Sequence, residues 1–136
     1  MTGASFRAQS GSPRSYLGAH PIYGASESFL LPAGSGGRND VFTSLDVQLA
    51  WVKALGATSK LQLFFSIYNV LDSSTAITRI DDWTYDSANP IVNGTPMDLN
   101  HLKTVNGAVA RKNEAYGQPM NYQAPIFTRF GARFSF

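Results

Sequence analysis

Side chains able to do chemistry are few and dispersed in this 136-residue chain. His20 and His101 stand alone, without an HExxH pattern or a partner at ligand spacing, so neither has the company that a metal centre or a general base requires. Asp81, Asp82, Asp86 and Asp98 could offer oxygen ligands to Ca²⁺, but the Asp-x-Asp-x-Asp-Gly spacing of a calcium loop is missing. They read as solvated loop acids. Gly34-Ser35-Gly36-Gly37-Arg38 has the glycines of a phosphate cradle without the Lys-Ser/Thr or the following helix, and reads as a flexible loop. Asn93-Gly94-Thr95 fits both a glycosylation sequon and a turn, and the turn is preferred. No nucleophile, base and oxyanion donor can be assembled, so the chain is read as having no catalytic, cofactor-binding or metal residues.

Composition narrows the classes further. Cysteine is absent, which removes disulfides and thiol metal sites and suits either redox compartment. A net charge of +2 with scattered basic residues leaves no footprint for nucleic acid. No run of ~18 apolar residues is present to form a membrane helix, so a membrane role would have to come from strands. The 12 glycines and 12% aromatic residues favour strands and turns.

With chemistry discounted, the informative pattern is a period of two. At the end of the chain Ile126, Thr128, Phe130, Ala132, Phe134 and Phe136 make a mostly apolar row, while Arg129, Gly131, Arg133 and Ser135 make a polar one. Residues 43–55 alternate in the same way, with Leu45, Val47, Leu49 and Trp51 against Ser44, Asp46, Gln48 and Ala50. After a polar turn at 56–60, residues 61–71 resume with Leu61, Leu63, Phe65 and Ile67. A weaker strand is expected at 4–12, stopping at Ser10-Gly11-Ser12-Pro13.

Four strands are therefore expected near 4–12, 43–55, 61–71 and 124–136, joined by one short turn and by long loops at 13–42 and 72–121. Strands of ~10 residues can cross a bilayer when tilted. A greasy row beside a polar row suits a wall between lipid and a wet lumen, although a soluble sandwich strand alternates too. Ending on Phe134-Ser135-Phe136 without a polar tail favours the barrel. Short turns on one side and long loops on the other are the asymmetry of bacterial outer-membrane barrels.

Several segments carry a family resemblance. They are Gln9-Ser10-Gly11-Ser12-Pro13, Gly36-Gly37-Arg38 followed by Ser44-Leu45-Asp46-Val47, the run Phe65-Ser66-Ile67-Tyr68-Asn69-Val70-Leu71-Asp72, and Asn113 through Phe136. In the last of these, Tyr116-Gly117-Gln118-Pro119 and Tyr122-Gln123-Ala124-Pro125 precede the terminal strand. Together they resemble the carboxy-terminal end of a TonB-dependent outer-membrane receptor of the Oar-like group. The chain departs from that pattern at Ile126, where Arg is expected, and at Glu114, where Pro is usual.

The resemblance implies the last four strands of a barrel of about 22 strands with an internal plug. Such a receptor takes up large or scarce ligands across the outer membrane, energised by TonB through a part absent from these residues. It further implies an assembly signal, Arg129, Gly131, Phe134 and Phe136, read by the barrel assembly machinery through β-augmentation. Leu45, Val47, Leu49, Trp51, Leu61, Leu63, Phe65, Ile67 and Phe130 are expected to face lipid. The turn at 56–60 and Phe136 are placed in the periplasm, with Trp51 in its aromatic girdle and both long loops outside the cell. A non-transporting structural or adhesive barrel component and a soluble β-rich binding module are the alternatives. Met1–Arg7 has no basic and apolar export signal, so the segment is expected to be part of a longer polypeptide or a separately processed piece.

Overall fold

A computed structural model describes residues 1–136 as an all-β chain with one short 3₁₀ turn. The strands are β1 (Thr2–Gln9), β2 (Leu17–His20), β3 (Gly24–Phe29), β4 (Phe42–Ala54), β5 (Lys60–Tyr68), β6 (Ala76–Arg79), β7 (Asp82–Ser87), β8 (Pro119–Tyr122) and β9 (Phe127–Ser135). They belong to two compact units. One comprises Met1–Gln9, Val41–Thr75 and Gln123–Phe136, and the other Ser10–Asp40 and Ala76–Tyr122.

The first unit is a four-stranded antiparallel sheet in the order β1-β4-β5-β9. Its strands are built on the alternating segments, with bounds that differ from those read from the sequence. The strand read at 4–12 ends at Gln9, and beyond it Gly11 lies against the backbone of Asn39, where a Cβ would sit 2.0 Å from the Asn39 carbonyl oxygen. The strand read at 61–71 stops at Tyr68, since Asn69 turns to φ 51°. The one read from 124 starts at Phe127, and Ala124-Pro125 stays outside the ladder. Between β4 and β5 the chain reverses over 55–59, closed by the Leu55 N–H donating to the Ser59 carbonyl at 2.9 Å.

The second unit corrects the reading of 13–42 and 72–121 as structureless polar loops. It holds a three-stranded sheet, β3-β2-β7, with β2 and β3 antiparallel and β2 and β7 parallel, and a two-stranded ladder of β6 with β8. Leu30 and Leu31 from the first segment meet Trp83, Ala88, Leu99, Leu102 and Ala110 from the second in a buried cluster. Tyr16, Ile91 and Tyr116 pack against it. Burying a Leu or a Trp side chain supplies roughly 1.5–3 kcal/mol or more, so the two segments hold each other in shape. An ion pair reinforces them, with Arg14 Nε donating to Asp81 Oδ1 at 2.9 Å while the other carboxylate oxygen accepts the Ser15 N–H at 3.1 Å. The Arg14 guanidinium lies 5.3 Å from the centroid of the Tyr116 ring, which stacks on Tyr16.

Candidate functional site

In the four-stranded sheet, register converts the period of two into two faces. Paired rows on one face run Thr2–Leu49–Phe65–Phe130 and Ala4–Val47–Ile67–Thr128. Further along, Trp51–Leu63–Ala132 and Lys53–Leu61–Phe134 continue it, with Phe6 and Leu45 at the other end. All nine residues expected to face lipid lie on this face. It is open to the surroundings: Phe130 is 70% exposed, Trp51 53% and Leu49 47%. A soluble monomer rarely leaves a contiguous apolar patch of this extent uncovered. The opposite face carries Ser5, Arg7, Asp46, Gln48, Gln62, Ser66, Arg129 and Arg133, and is hollowed into clefts of about 330 and 340 Å³.

The terminal motif is divided between the faces. Arg129 pairs with Ser66 and Gly131 with Phe64 on the polar side, whereas Phe134 lies opposite Leu61 on the apolar side. Phe136 extends past the ladder, 95% exposed, with its ring 6.0 Å from that of Phe134. Gly131 is required by packing: a Cβ at this position would stand 2.2 Å from Phe64 Cζ. The Phe64 ring thus occupies the place of the missing side chain, an aromatic on one strand covering a glycine on its neighbour. Both edges of the sheet, β1 and β9, present unpaired backbone groups.

Asn69-Val70-Leu71-Asp72 forms the corner where β5 ends. The left-handed backbone of Asn69 (φ 51°) and Asp72 (φ 47°) suits Asn and Asp, which tolerate it better than most residues. Asn69 is buried, and its carboxamide donates to the carbonyls of Ala124 at 2.8 Å and Ser73 at 3.1 Å. Its backbone N–H donates to Asp46 Oδ1 at 2.9 Å, the Val70 N–H to the Leu45 carbonyl at 2.7 Å, and the Ile126 N–H to Asp72 Oδ1 at 3.1 Å. The corner therefore joins β4, β5 and the approach to β9. Gln123 adds a further tie, donating through Nε2 to the Thr43 carbonyl at 2.8 Å.

The isolated chemical groups are committed to local structure. The four acids do not share one loop. Asp82 and Asp86 lie on β7 with Asp81 just before it, and each acid has its own partners. Asp81 takes Arg14, Asp82 accepts from the Ser26 hydroxyl, and Asp86 accepts the Arg111 N–H at 2.8 Å. Asp98 binds both the backbone and the hydroxyl of Thr95, and these bonds hold its carboxyl below the usual carboxylate range. His20 Nδ1 accepts the N–H groups of Ile22 and Tyr23, each at 3.2 Å, within a hairpin tip. His101 closes the 3₁₀ turn Asp98–His101. In Gly34–Arg38, Gly36 fits against the Arg14 backbone and Arg38 donates to the Gly11 carbonyl at 2.8 Å. Asn93 adopts φ 56° in a turn that seats Gly94 against Ile91 and Leu31. No three His, Asp or Glu residues gather as a metal set.

Fold and surface define an antiparallel sheet with one exposed apolar face and one polar face. Over 98% of its length the chain is 31% identical to the TonB-dependent transporter Oar of Myxococcus xanthus, across 150 aligned positions. It spans 14% of that protein. The chain is thus related to an Oar-type TonB-dependent transporter and fits a carboxy-terminal segment of one. No family model matches the sequence, and no solved structure matches it.

Proposed function

We propose that the chain is the closing, carboxy-terminal wall of an outer-membrane TonB-dependent transporter, a bacterial barrel of about 22 strands with an internal plug. The observation that carries this reading is the single continuous apolar face running from Phe6 and Leu45 to Phe134, left exposed on strands long enough to cross a membrane. Nine residues at ~3.4 Å each extend about 30 Å, close to what a tilted strand needs. Lipid covers Leu45, Val47, Leu49, Trp51, Leu61, Leu63, Phe65, Ile67 and Phe130. Backbone groups at the free edges of β1 and β9 pair with the remaining barrel strands, because hydrocarbon leaves unpaired backbone unsatisfied. Arg129, Gly131, Phe134 and Phe136 form the signal for the barrel assembly machinery. TonB engages the portion of the polypeptide outside these residues.

In this reading the chain is a transporter component with no catalytic role, as its relative's name supports. The β4–β5 turn and Phe136 face the periplasm, and residues 13–42 and 72–121 lie outside the cell. Cysteines placed at Ser35 or Asn93 of the complete protein should be labelled on intact cells by an impermeant maleimide, and one at Ser59 should not. The reverse pattern would refute the topology and, with it, the uptake reading.

A further inference from the structure

Two Asn-Gly pairs occur in the chain, Val92-Asn93-Gly94 and Val105-Asn106-Gly107, both in the second unit and both preceded by valine. Such a pair can react with itself. The glycine amide nitrogen, once its proton is lost to hydroxide, is close enough to attack the asparagine side-chain carbonyl carbon, and no Cβ on the glycine blocks the approach. A C–N bond forms, the bond to the side-chain amide breaks, and that nitrogen takes up a proton and leaves as ammonia. Water then opens the succinimide ring. Opening at the side-chain carbonyl gives aspartate, and opening at the main-chain carbonyl gives isoaspartate. Water is consumed and ammonia released, with no other reactant.

Both asparagines are exposed, and each glycine N–H is bonded back across a turn, Gly94 to the Ile91 carbonyl at 3.1 Å and Gly107 to the Thr104 carbonyl at 2.9 Å. Their surroundings separate them. Gly94 is wedged: a Cβ there would lie 2.6 Å from Ile91 Cγ2 and 2.8 Å from Leu31 Cδ2, and Leu31 belongs to the buried cluster. The next residue is tied as well, the Thr95 N–H and hydroxyl donating to Asp98 Oδ2 at 2.7 and 2.8 Å. Rotating the Asn93–Gly94 peptide into the attacking geometry must therefore disturb packed side chains. Around Gly107, chain neighbours aside, no heavy atom lies within 4 Å of the place a Cβ would take, and residues 105–109 are all exposed. Across this tip, beside the Gly107 bond, runs the Thr104 N–H to the Ala108 carbonyl at 2.8 Å. Solvent-exposed backbone bonds at a loop tip open at low free energy.

We propose that Asn106 is a site of spontaneous deamidation and isoaspartate formation, and that the fold protects Asn93 from the same reaction. Conversion places a new carboxylate at the tip. Isoaspartate also lengthens the main chain by a methylene between Asn106 and Gly107, which displaces the Gly107 N–H from the Thr104 carbonyl.

The test ages the folded full-length protein in detergent at mildly alkaline pH, where more of the amide is deprotonated. Peptides covering both pairs are followed by mass spectrometry, with isoaspartyl methyltransferase marking the isomer. Conversion at Asn106 should be at least about tenfold faster than at Asn93, the ratio set by a barrier difference of about 1.4 kcal/mol. In urea-unfolded protein the two should convert at comparable rates, because the residues on both sides of the reacting bond are the same. Asp98→Ala frees Thr95 and should raise the rate at Asn93 while leaving that at Asn106 unchanged. Equal rates in the folded protein, faster conversion at Asn93, or an inert Asn106 while the unfolded chain reacts would overturn the proposal. The same preference for Asn106 in urea would overturn it too, since the fold would not then be its cause. A rate at Asn93 unmoved by Asp98→Ala refutes the protection assigned to that site.

Discussion

Adding one methyl group at Gly131 tests whether β9 is locked to β5 by the Phe64 ring. In Gly131→Ala the new Cβ would lie 2.2 Å from Phe64 Cζ, 2.7 Å from Cε2 and 2.8 Å from Cε1. Carbon atoms prefer roughly 3.5–4.0 Å, so the ring must swing away by more than an ångström or the strands must part. Overpacking of this kind costs about 1–3 kcal/mol. Glycine in a strand is itself less favourable than alanine by roughly 0.5–1 kcal/mol, so the net loss should be about 0.5–2 kcal/mol. In a Phe64→Ala background the clash is gone, and the same substitution should be neutral or stabilising. The difference between backgrounds, about 1–3 kcal/mol, is the coupling energy of the pair. Urea unfolding of the full-length protein from lipid vesicles, followed by tryptophan fluorescence or heat-modifiable migration, measures all four corners of the cycle. Equal destabilisation by Gly131→Ala with and without Phe64 would refute the packing argument and leave the glycine without this explanation.

Other substitutions probe the remaining layers. Leu49→Arg and Leu63→Arg should each lower bilayer stability by roughly 2–4 kcal/mol near the midplane and less near a rim; neutrality of both would reject lipid contact. Asn69→Ala removes the bonds to the Ala124 and Ser73 carbonyls and places an unsuited residue at φ 51°, whereas Asn69→Gly relieves only the backbone. With net hydrogen-bond contributions of about 0.5–1.5 kcal/mol each, Ala should be the more damaging variant in urea unfolding, and the reverse order would count against the corner. Tyr116 is pushed above the ordinary tyrosine value of 10.0, first by burial and then by the neighbouring Tyr16. Because the folded state holds this proton more tightly than the unfolded chain, its stabilising contribution is complete below about pH 10 and declines as pH rises above it. Phenolate absorbance should therefore include a late-titrating group absent from Tyr116→Phe. Deleting Phe136 from the full-length protein should sharply reduce surface level in cells while leaving refolding yield in detergent nearly intact. Equal mild losses in both would make it only a rim aromatic.

The four long strands were legible because their information is local. Alternation in 43–55 and 61–71 is written in consecutive residues, and pleating assigns odd and even positions to opposite faces wherever a partner strand lies. The terminal row from Ile126 to Phe136 could be divided in the same way. Boundaries were less legible: Asn69 ends β5 because its carboxamide reaches a carbonyl 55 residues away, and nothing within the alternating run announces that.

Sequence alone determined the two-faced sheet, since a repeating side-chain direction is a property of the extended backbone itself. Only the tertiary structure decided that Ser10–Asp40 and Ala76–Tyr122, the greater part of the two segments read as loops, are one folded unit. Leu30 and Leu31 lie in the short run Phe29-Leu30-Leu31, which has no periodicity to mark a face, and their partners Trp83, Leu99 and Leu102 are each flanked by polar neighbours. The Arg14–Asp81 ion pair spans 67 residues, and the Gly131–Phe64 fit depends on register between separate strands. Such contacts arise when distant segments are brought together to exclude water, so their partners appear only once the chain has folded.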